Sequence, residues 1–300
     1  MDYPLVVSVV VNWNLKEELG ECLDSLHQVD YPAHKIIVVD NGSTDDSASF
    51  VAINYPDVDL IVLPQNLGYA AGLNAGILPA LEQGAVYTFL LNNDTFVDRH
   101  TVSRLVEVLE SSAEIGIAAP KILFYHKRDR IFSLGDRIYP FLPLPVGFGY
   151  GKRDSPKYSK VMEFDYVTGC ALMVRSEVFR TVGLFDTSYF VYYEDADFCR
   201  RARDQGYRIV CVGDAVVYHK AARSTGRNKT MMVSIRARNR VRFYRRYRHG
   251  PHPWLTYSAL GILAIWRSLA SLFKGQGWWF KSYLQGLWEG FREREYYPSD

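Results

Sequence analysis

The sequence predicts an α/β fold, a mostly parallel sheet flanked by helices on both faces with a helical extension at the C-terminus. Three observations predict it. Short β-branched runs alternate with helix-like stretches through the first half of the chain. Polar Asn/Asp/Gly clusters follow directly on the ends of two of those runs, where open α/β sheets bind ligands. The 300 residues, 48% of them hydrophobic, supply a sizeable core.

Residues 5–11, Leu-Val-Val-Ser-Val-Val-Val, are β-rich and too short for a membrane span or signal peptide, so they read as a buried first strand. Helix-like stretches at 17–28, 47–54, 70–84 and 101–111 then alternate with strands at 35–39, 59–63 and 86–91. From about 120 to 160, prolines, glycines and aromatics loosen the pattern into what reads as a long loop or lid. Order returns with a strand at 164–174, a helix at 196–205 ended by Gly206, and a strand at 210–218. Beyond His219 come an Arg/aromatic helix at 234–248, a Gly-Pro-His-Pro break at 250–253 and an apolar stretch at 254–273. The expected organisation is a large α/β unit, 1–233, followed by a basic, aromatic helical segment, 234–300.

A net charge of +2 gives no general reason to expect a nucleic-acid partner. The four cysteines are widely spaced, with no CxxC pair and no secretory leader pattern, which fits a reducing, cytoplasmic setting and argues against a disulfide framework or structural zinc site.

Several motifs carry potential chemistry. Asp40-Asn41-Gly42-Ser43-Thr44-Asp45 follows a strand with two carboxylates and a turn glycine; Asp40 would accept from a pyrimidine N–H, while a turn with Ser43 or Thr44 as helix cap accounts for it equally. Asn12 closes the first strand. In Asn66-Leu-Gly68-Tyr-Ala-Ala-Gly72-Leu-Asn-Ala-Gly76, the glycines four apart line one helix face and favour close packing on the sheet, whereas Asn66 has no evident packing reason. Asn92-Asn93-Asp94 ends a buried strand with oxygen ligands suited to a hard divalent cation that also holds substrate phosphates, although such trios are also common turn chemistry. Glu194, Asp195 and Asp197 open a helix behind an aromatic run; they would suit a first helical turn, and equally a general base in an aromatic-lined cleft. His219, at another strand end, is either a metal ligand or a core histidine.

Together these residues resemble the family 2 glycosyltransferases of GT-A fold, a Rossmann-like architecture for nucleotide-diphospho-sugar transfer, and among them the rhamnosyltransferase-like branch of bacterial surface polysaccharide synthesis. The resemblance runs from Val6 to Arg248. It rests on Asp40-Asn-Gly-Ser-Thr-Asp45, Asn66-Leu-Gly-Tyr-Ala-Ala-Gly72, Leu-Asn-Asn-Asp94, Thr168-Gly-Cys-Ala171, Glu194-Asp-Ala-Asp197, Tyr218-His219 and Arg238-Asn239. It implies an inverting transfer from a dTDP- or UDP-sugar, rhamnose or a hexose, to a lipid-linked or polysaccharide acceptor. Asp195 would be the base, with Glu194 and Asp197 orienting it or the acceptor. Asn12, Asp40, Asn41, Gly42, Asn66, Gly68, Gly72, Asn92, Asn93 and Asp94 would line the donor side. Asp94 and His219 would hold Mg2+ or Mn2+, and Thr168, Gly169 and Cys170 would floor the acceptor pocket. Asn92 departs from the aspartate that gives the family's DxD element its name, which leaves the metal to Asp94.

Seven arginines between Arg236 and Arg248, interleaved with aromatics, point to an anionic partner. The 13 uncharged residues of 254–266 fall short of the ~20 a span requires. They fit an interfacial helix on the inner face of a membrane, or a helix that covers the catalytic domain or forms a homodimer. The rival readings are a sugar nucleotidyltransferase, which would place a Gly-rich phosphate loop where Asn12-Trp13-Asn14 stands, and a non-catalytic sugar- or lipid-binding module.

Overall fold

The structure is a computed structural model that describes residues 3–139, 146–221, 229–247, 253–273 and 277–293. In chain order the strands are β1 (Val6–Asn12), β2 (His34–Asp40), β3 (Asp59–Val62), β4 (Tyr87–Asn92), β5 (Thr95–Val97), β6 (Ile115–Phe124), β7 (Lys127–Ser133), β8 (Asp136–Arg137), β9 (Val146–Gly147), β10 (Val161–Glu163), β11 (Ala171–Arg175) and β12 (Arg208–His219). The helices are α1 (Lys16–His27), α2 (Ser47–Asn54), α3 (Tyr69–Glu82), α4 (Thr101–Glu110), α5 (Ser176–Val182), α6 (Glu194–Asp204), α7 (Lys229–Tyr247), α8 (Pro253–Phe273) and α9 (Gly277–Arg292). The chain forms two compact units. One comprises Met1–Arg137, Gly147–Phe190 and Glu194–Ser224; the other comprises Ile138–Val146, Val191–Tyr193 and Thr225–Asp300.

The first unit is a three-layer α/β structure whose mixed, mostly parallel sheet has the order β10-β12-β6-β11-β4-β1-β2-β3. β1 pairs in parallel with β2 and β4, and β11 runs antiparallel between β4 and β6. Alternation along β1 divides the core. Val6 and Val10 pack with Leu19, Leu23 and Leu26 of α1 and Leu105 of α4. Val7, Val9 and Val11 pack with Leu73 and Ile77 of α3 and Phe198 of α6. Each such side chain, fully buried, contributes about 1.5–3 kcal/mol. α3 lies close on the sheet because Gly72 and Gly76 face it: a Cβ at Gly76 would sit 2.3 Å from Val9 Cγ1. All four cysteines are buried and free.

The 120–160 stretch differs from the expected loop. Pro120 lies inside β6, beside the parallel strand β12, and β7 continues the sheet. Proline cannot donate to a ladder, and here the partner yields. Pro120 pairs with Val212 and Lys121 with Val216, so Gly213, Asp214 and Ala215 bulge out of β12. Buried Lys121 is held by Asp154 at 2.9 Å. The prolines of 140–145 fall outside the described residues. The expected strand at 164–174 is confined to β11, and α6 begins two residues earlier than expected, at Glu194.

In the second unit, α9 packs on α7 through two glycines. A Cβ at Gly286 would lie 2.1 Å from Ser234 O, and one at Gly290 2.8 Å from Arg238 O. The arginines of α7, expected to meet an anionic partner, are largely engaged within this unit. Arg242 pairs with Glu293, Arg240 donates to Tyr193 and Tyr283, and Arg245 caps the carbonyls of Gly290 and Phe291. Arg248 and the break at 250–252 fall outside the described residues. The 234 boundary expected from composition lies within α7. Among the described residues no helix is long and apolar enough to cross a membrane.

Candidate active site

The site forms in the first unit at the carboxyl ends of β1, β2 and β4. Asn12, fully buried, is its hub: its amide donates to Asp40 Oδ1 (3.1 Å) and Ser43 Oγ (3.2 Å), and its carbonyl accepts from Asn93 Nδ2 (2.6 Å). Asp40 Oδ2 accepts from the Ser43 N–H at 3.0 Å. Both carboxylate oxygens of Asp40 are thus bonded to protein, and each retains acceptor capacity for a ligand N–H. Ser43 and Thr44 do not cap α2; Ser43 Oγ accepts from Asn14 N, and Thr44 N donates to Asn14 Oδ1. Asp45 instead accepts from Ser47 in the first turn of α2.

Several residues expected on the donor side turn out to build the loop itself. Asn41 turns away from the β2 end, accepting from Leu67 N (2.9 Å) and donating to Gly68 O (2.9 Å). Asn66, which showed no packing reason in the sequence, accepts from Gly68 N at 2.9 Å in an Asx-type turn. Gly42, at φ +71, and Gly68, at φ +92, pass so close to Gln65 and Phe190 that a Cβ would overlap them. A Cβ at Gly72 would lie 2.7 Å from Val11 Cγ1, so this glycine serves packing.

Asp94 and His219 meet where β12 pairs with β5. Both are buried, with His219 Nε2 3.1 Å from Asp94 Oδ1. That contact has ion-pair distance but not hydrogen-bond geometry, so neither ring nitrogen has a hydrogen-bond partner. The Phe132 ring packs edge-on against the imidazole at 4.8 Å. A buried imidazole without hydrogen bonds beside a carboxylate fits a divalent cation. Among the described residues no group of three or more His, Cys, Asp or Glu side chains is arranged to hold one, so ligand oxygens would complete the shell. Asn92 ends β4 partly exposed, its backbone N–H bonded to Cys170 O.

Asp195, partly exposed, is aimed by backbone: Oδ2 accepts from Gly169 N at 2.9 Å and Oδ1 from Ala196 N at 2.8 Å. Gly169 O accepts from Tyr69 OH at 2.8 Å. Gly169 thus acts on the carboxylate itself, and Cys170 is buried below it. Burial raises the Asp195 carboxyl, and the backbone N–H groups offset only part of that rise. Burial, then the Asp195 charge, raises Glu194 well above the carboxylate range. Glu194 Oε2 is buried without a hydrogen-bond partner. The added charge of Asp195 thus favours the protonated form of Glu194, while backbone N–H groups favour the ionised form of Asp195. The end of β4 and the Asp195 loop meet at residues 169 and 170: Asn92 N donates to Cys170 O, and the neighbouring Gly169 N donates to Asp195.

Asp197, expected to orient the base or the acceptor, is fully buried and paired with Arg201 Nε at 2.9 Å, while Arg201 also donates to Leu184 O at 2.8 Å. That arrangement ties α6 to the segment after α5. Sequence reasoning missed Asp136, whose carboxyl is pushed up to about 7 by burial and then by the Asp195 charge. Nothing local in Gly135-Asp136-Arg137 signals that environment.

A mixed, mostly parallel sheet with a polar network at the carboxyl ends of its strands is the arrangement at which open α/β folds bind their ligands. Residues 8–182 match the family model described as glycosyl transferase family 2. The chain belongs to that family, and its members transfer a sugar from a nucleotide sugar to an acceptor. It is 23% identical over 289 residues to a low-salt glycan biosynthesis hexosyltransferase of Haloferax volcanii, covering 95% of this chain and 91% of that protein. It is 28% identical over 240 residues to an N-acetylglucosaminyl-diphospho-decaprenol L-rhamnosyltransferase of Mycobacterium tuberculosis, covering 73% of this chain and 77% of that protein. Among solved structures, a mannosyltransferase from Pyrobaculum calidifontis in complex with GDP-mannose and Mn2+ superposes with TM-score 0.60 at 18% identity, covering 97% of this chain and 88% of that one. This likeness establishes the GT-A fold.

Proposed function

We propose that the protein is an inverting, metal-dependent glycosyltransferase that moves rhamnose or a hexose from a dTDP- or UDP-sugar to a lipid-linked or polysaccharide acceptor. The observation that carries the proposal is the buried Asp94–His219 pair with its unsatisfied imidazole, two residues past the β4 end whose Asn92 N–H bonds Cys170 O, next to the Gly169 N–H that holds Asp195. The relatives support the substrate class: one is named for a rhamnosyl transfer onto a diphospho-decaprenol carrier, another, from Shigella flexneri, as a dTDP-rhamnosyl transferase.

Asp40 and the Asn12 network would receive the pyrimidine nucleoside, with Asn92 and Asn93 at the ribose and diphosphate side. Asp94 and His219 would hold Mg2+ or Mn2+, which when bound neutralises charge on the departing diphosphate. Asp195 would take the proton of the acceptor hydroxyl as that oxygen bonds to the anomeric carbon and the bond to the diphosphate breaks. Glu194, whose protonated form is favoured by burial and by the Asp195 charge, would leave the negative charge on Asp195, and Thr168, Gly169 and Cys170 would form the floor on the acceptor side.

In this reading residues 1–233 carry the chemistry and 234–300 bring the enzyme to its acceptor on the inner face of a membrane. Ile262, Ile265, Trp266 and Leu269 support that placement: all four are exposed and recur on one face of α8. The test is calorimetric titration of UDP-, dTDP- and GDP-sugars with and without Mn2+. The expected result is metal-dependent binding of a pyrimidine donor that Asp94→Ala abolishes; equal binding with and without metal would remove the assigned role of the pair.

A further inference from the structure

Within the second unit, Asn239 of α7 is fully buried, and its amide donates to two consecutive backbone carbonyls, Val191 O (2.9 Å) and Tyr192 O (2.8 Å). Arg238 Nε holds the amide oxygen at 3.1 Å, which fixes the orientation of the NH2 group. One residue further along α7, Arg240 Nε donates to Tyr193 OH at 3.0 Å, and the Arg236 guanidinium lies 4.1 Å from the centre of the Tyr192 ring.

The segment these side chains grip is strained. Phe190, Tyr192 and Tyr193 have φ of +62°, +69° and +75°, a region that bulky L-residues leave unless the surroundings over-determine them. Tyr193 is bonded directly to Glu194, and Asp195 follows. On the other side of the strained stretch, within the first unit, Phe190 O accepts from the Tyr69 N–H that opens α3. Left-handed backbone in three of four consecutive residues has no glycine to relieve it, so the geometry must be imposed from outside the segment.

We infer that Asn239 is a positioning residue for the catalytic carboxylate: by clamping the Val191 and Tyr192 carbonyls it holds the 190–193 segment, with Phe190, Tyr192 and Tyr193 left-handed, and so delivers Asp195 to the Gly169 N–H. The inference rests on the reading of Asp195 as the base. It gives the Arg238-Asn239 pair a role that neither donor binding nor metal binding provides. The amide is suited to the task because one NH2 group supplies two donors at fixed geometry, and aspartate or leucine of similar size supplies none.

The test is Asn239→Ala in the full-length chain, read by hydrogen–deuterium exchange in peptides covering 190–196 and 167–170, by thermal unfolding and by transfer kinetics. Faster exchange is expected at 190–196 and at the Gly169 amide, with the rest of the first unit unchanged. The value of kcat should fall about 100-fold, as for a reacting group displaced by about 1 Å, with the donor KM little altered. Adding Tyr192→Gly, which removes the strain at that position, should recover part of the lost kcat; Asn239→Ser, with one donor left, should fall between wild type and alanine and serves if the alanine variant does not fold. Unchanged exchange at both peptides, a uniform acceleration across the chain, or no recovery by Tyr192→Gly would overturn the inference. If the wild type transfers no sugar from any donor, the reading of the enzyme fails, and the exchange result still decides whether Asn239 is a clamp.

Discussion

Asp197→Asn separates scaffold from chemistry in the acidic cluster of α6. The carboxylate is fully buried, 2.9 Å from Arg201 Nε, and within reach of Tyr189 OH at 3.4 Å. Removing one partner of a buried ion pair costs ~3–5 kcal/mol because the other charge is left uncompensated. The Arg201 side chain is 18% exposed and keeps its bond to Leu184 O, so the low end, about 3 kcal/mol, is the appropriate figure. For a domain of this size that loss lowers Tm by about 6–12 °C. The assay is urea and thermal denaturation beside transfer kinetics measured well below the new Tm. Folded Asp197→Asn protein should retain most of its kcat. Normal stability with turnover reduced more than about 100-fold would show that Asp197 takes part in the chemistry and would refute the structural assignment.

Gly76→Ala places a methyl 2.3 Å from Val9 Cγ1 and 3.0 Å from Val39 Cγ2, so overpacking of ~1–3 kcal/mol should outweigh the helix-propensity gain of about 1 kcal/mol; a companion Val9→Ala should restore Tm. Asp136→Asn should flatten the pH dependence of stability. The folded carboxyl is raised to about 7, so the folded state keeps a proton that the unfolded chain has lost, and wild-type stability falls as pH rises from about 4 to about 7. The loss is on the order of 2 kcal/mol after allowing for partial solvent contact, and parallel stability–pH curves for the two proteins in urea titrations would contradict it. Ile262→Ala with Trp266→Ala removes two exposed apolar side chains, each worth about 1.5–3 kcal/mol on full transfer to an apolar phase; the pair should abolish co-sedimentation with anionic lipid vesicles, and undiminished sedimentation would exclude the α8 face as the membrane contact.

The sheet was legible because its signals are local. The valines of β1 alternate between two cores, and the polar clusters at Asp40 and Asp94 sit at strand ends in the sequence as they do in the fold. Pro120 misled the sequence reading because a proline in a central strand is tolerated only through the β12 bulge, formed by residues far along the chain. The contacts of the α7 arginines within the chain could not be read from the sequence because their partners, Tyr193, Tyr283 and Glu293, are distant along it. Asn66 and Asn41 belong to the right loop, but their side chains are directed at its backbone, a distinction that hydrogen-bond geometry reveals and residue type does not. The elevated Asp136 carboxyl arises from burial near Asp195, which no local motif encodes.

Asp195 as the base of a metal-assisted sugar transfer is the central proposal. The most direct test is transfer from the donor identified by titration to a polyprenyl-diphospho-sugar acceptor in the presence of Mn2+, comparing wild type with Asp195→Asn and assigning the anomeric configuration of the product by NMR. The account predicts an inverted product from the wild type, and an Asp195→Asn variant that binds donor normally but transfers at least about 100-fold more slowly. A product of retained configuration, or an Asp195→Asn variant with wild-type turnover, would contradict it.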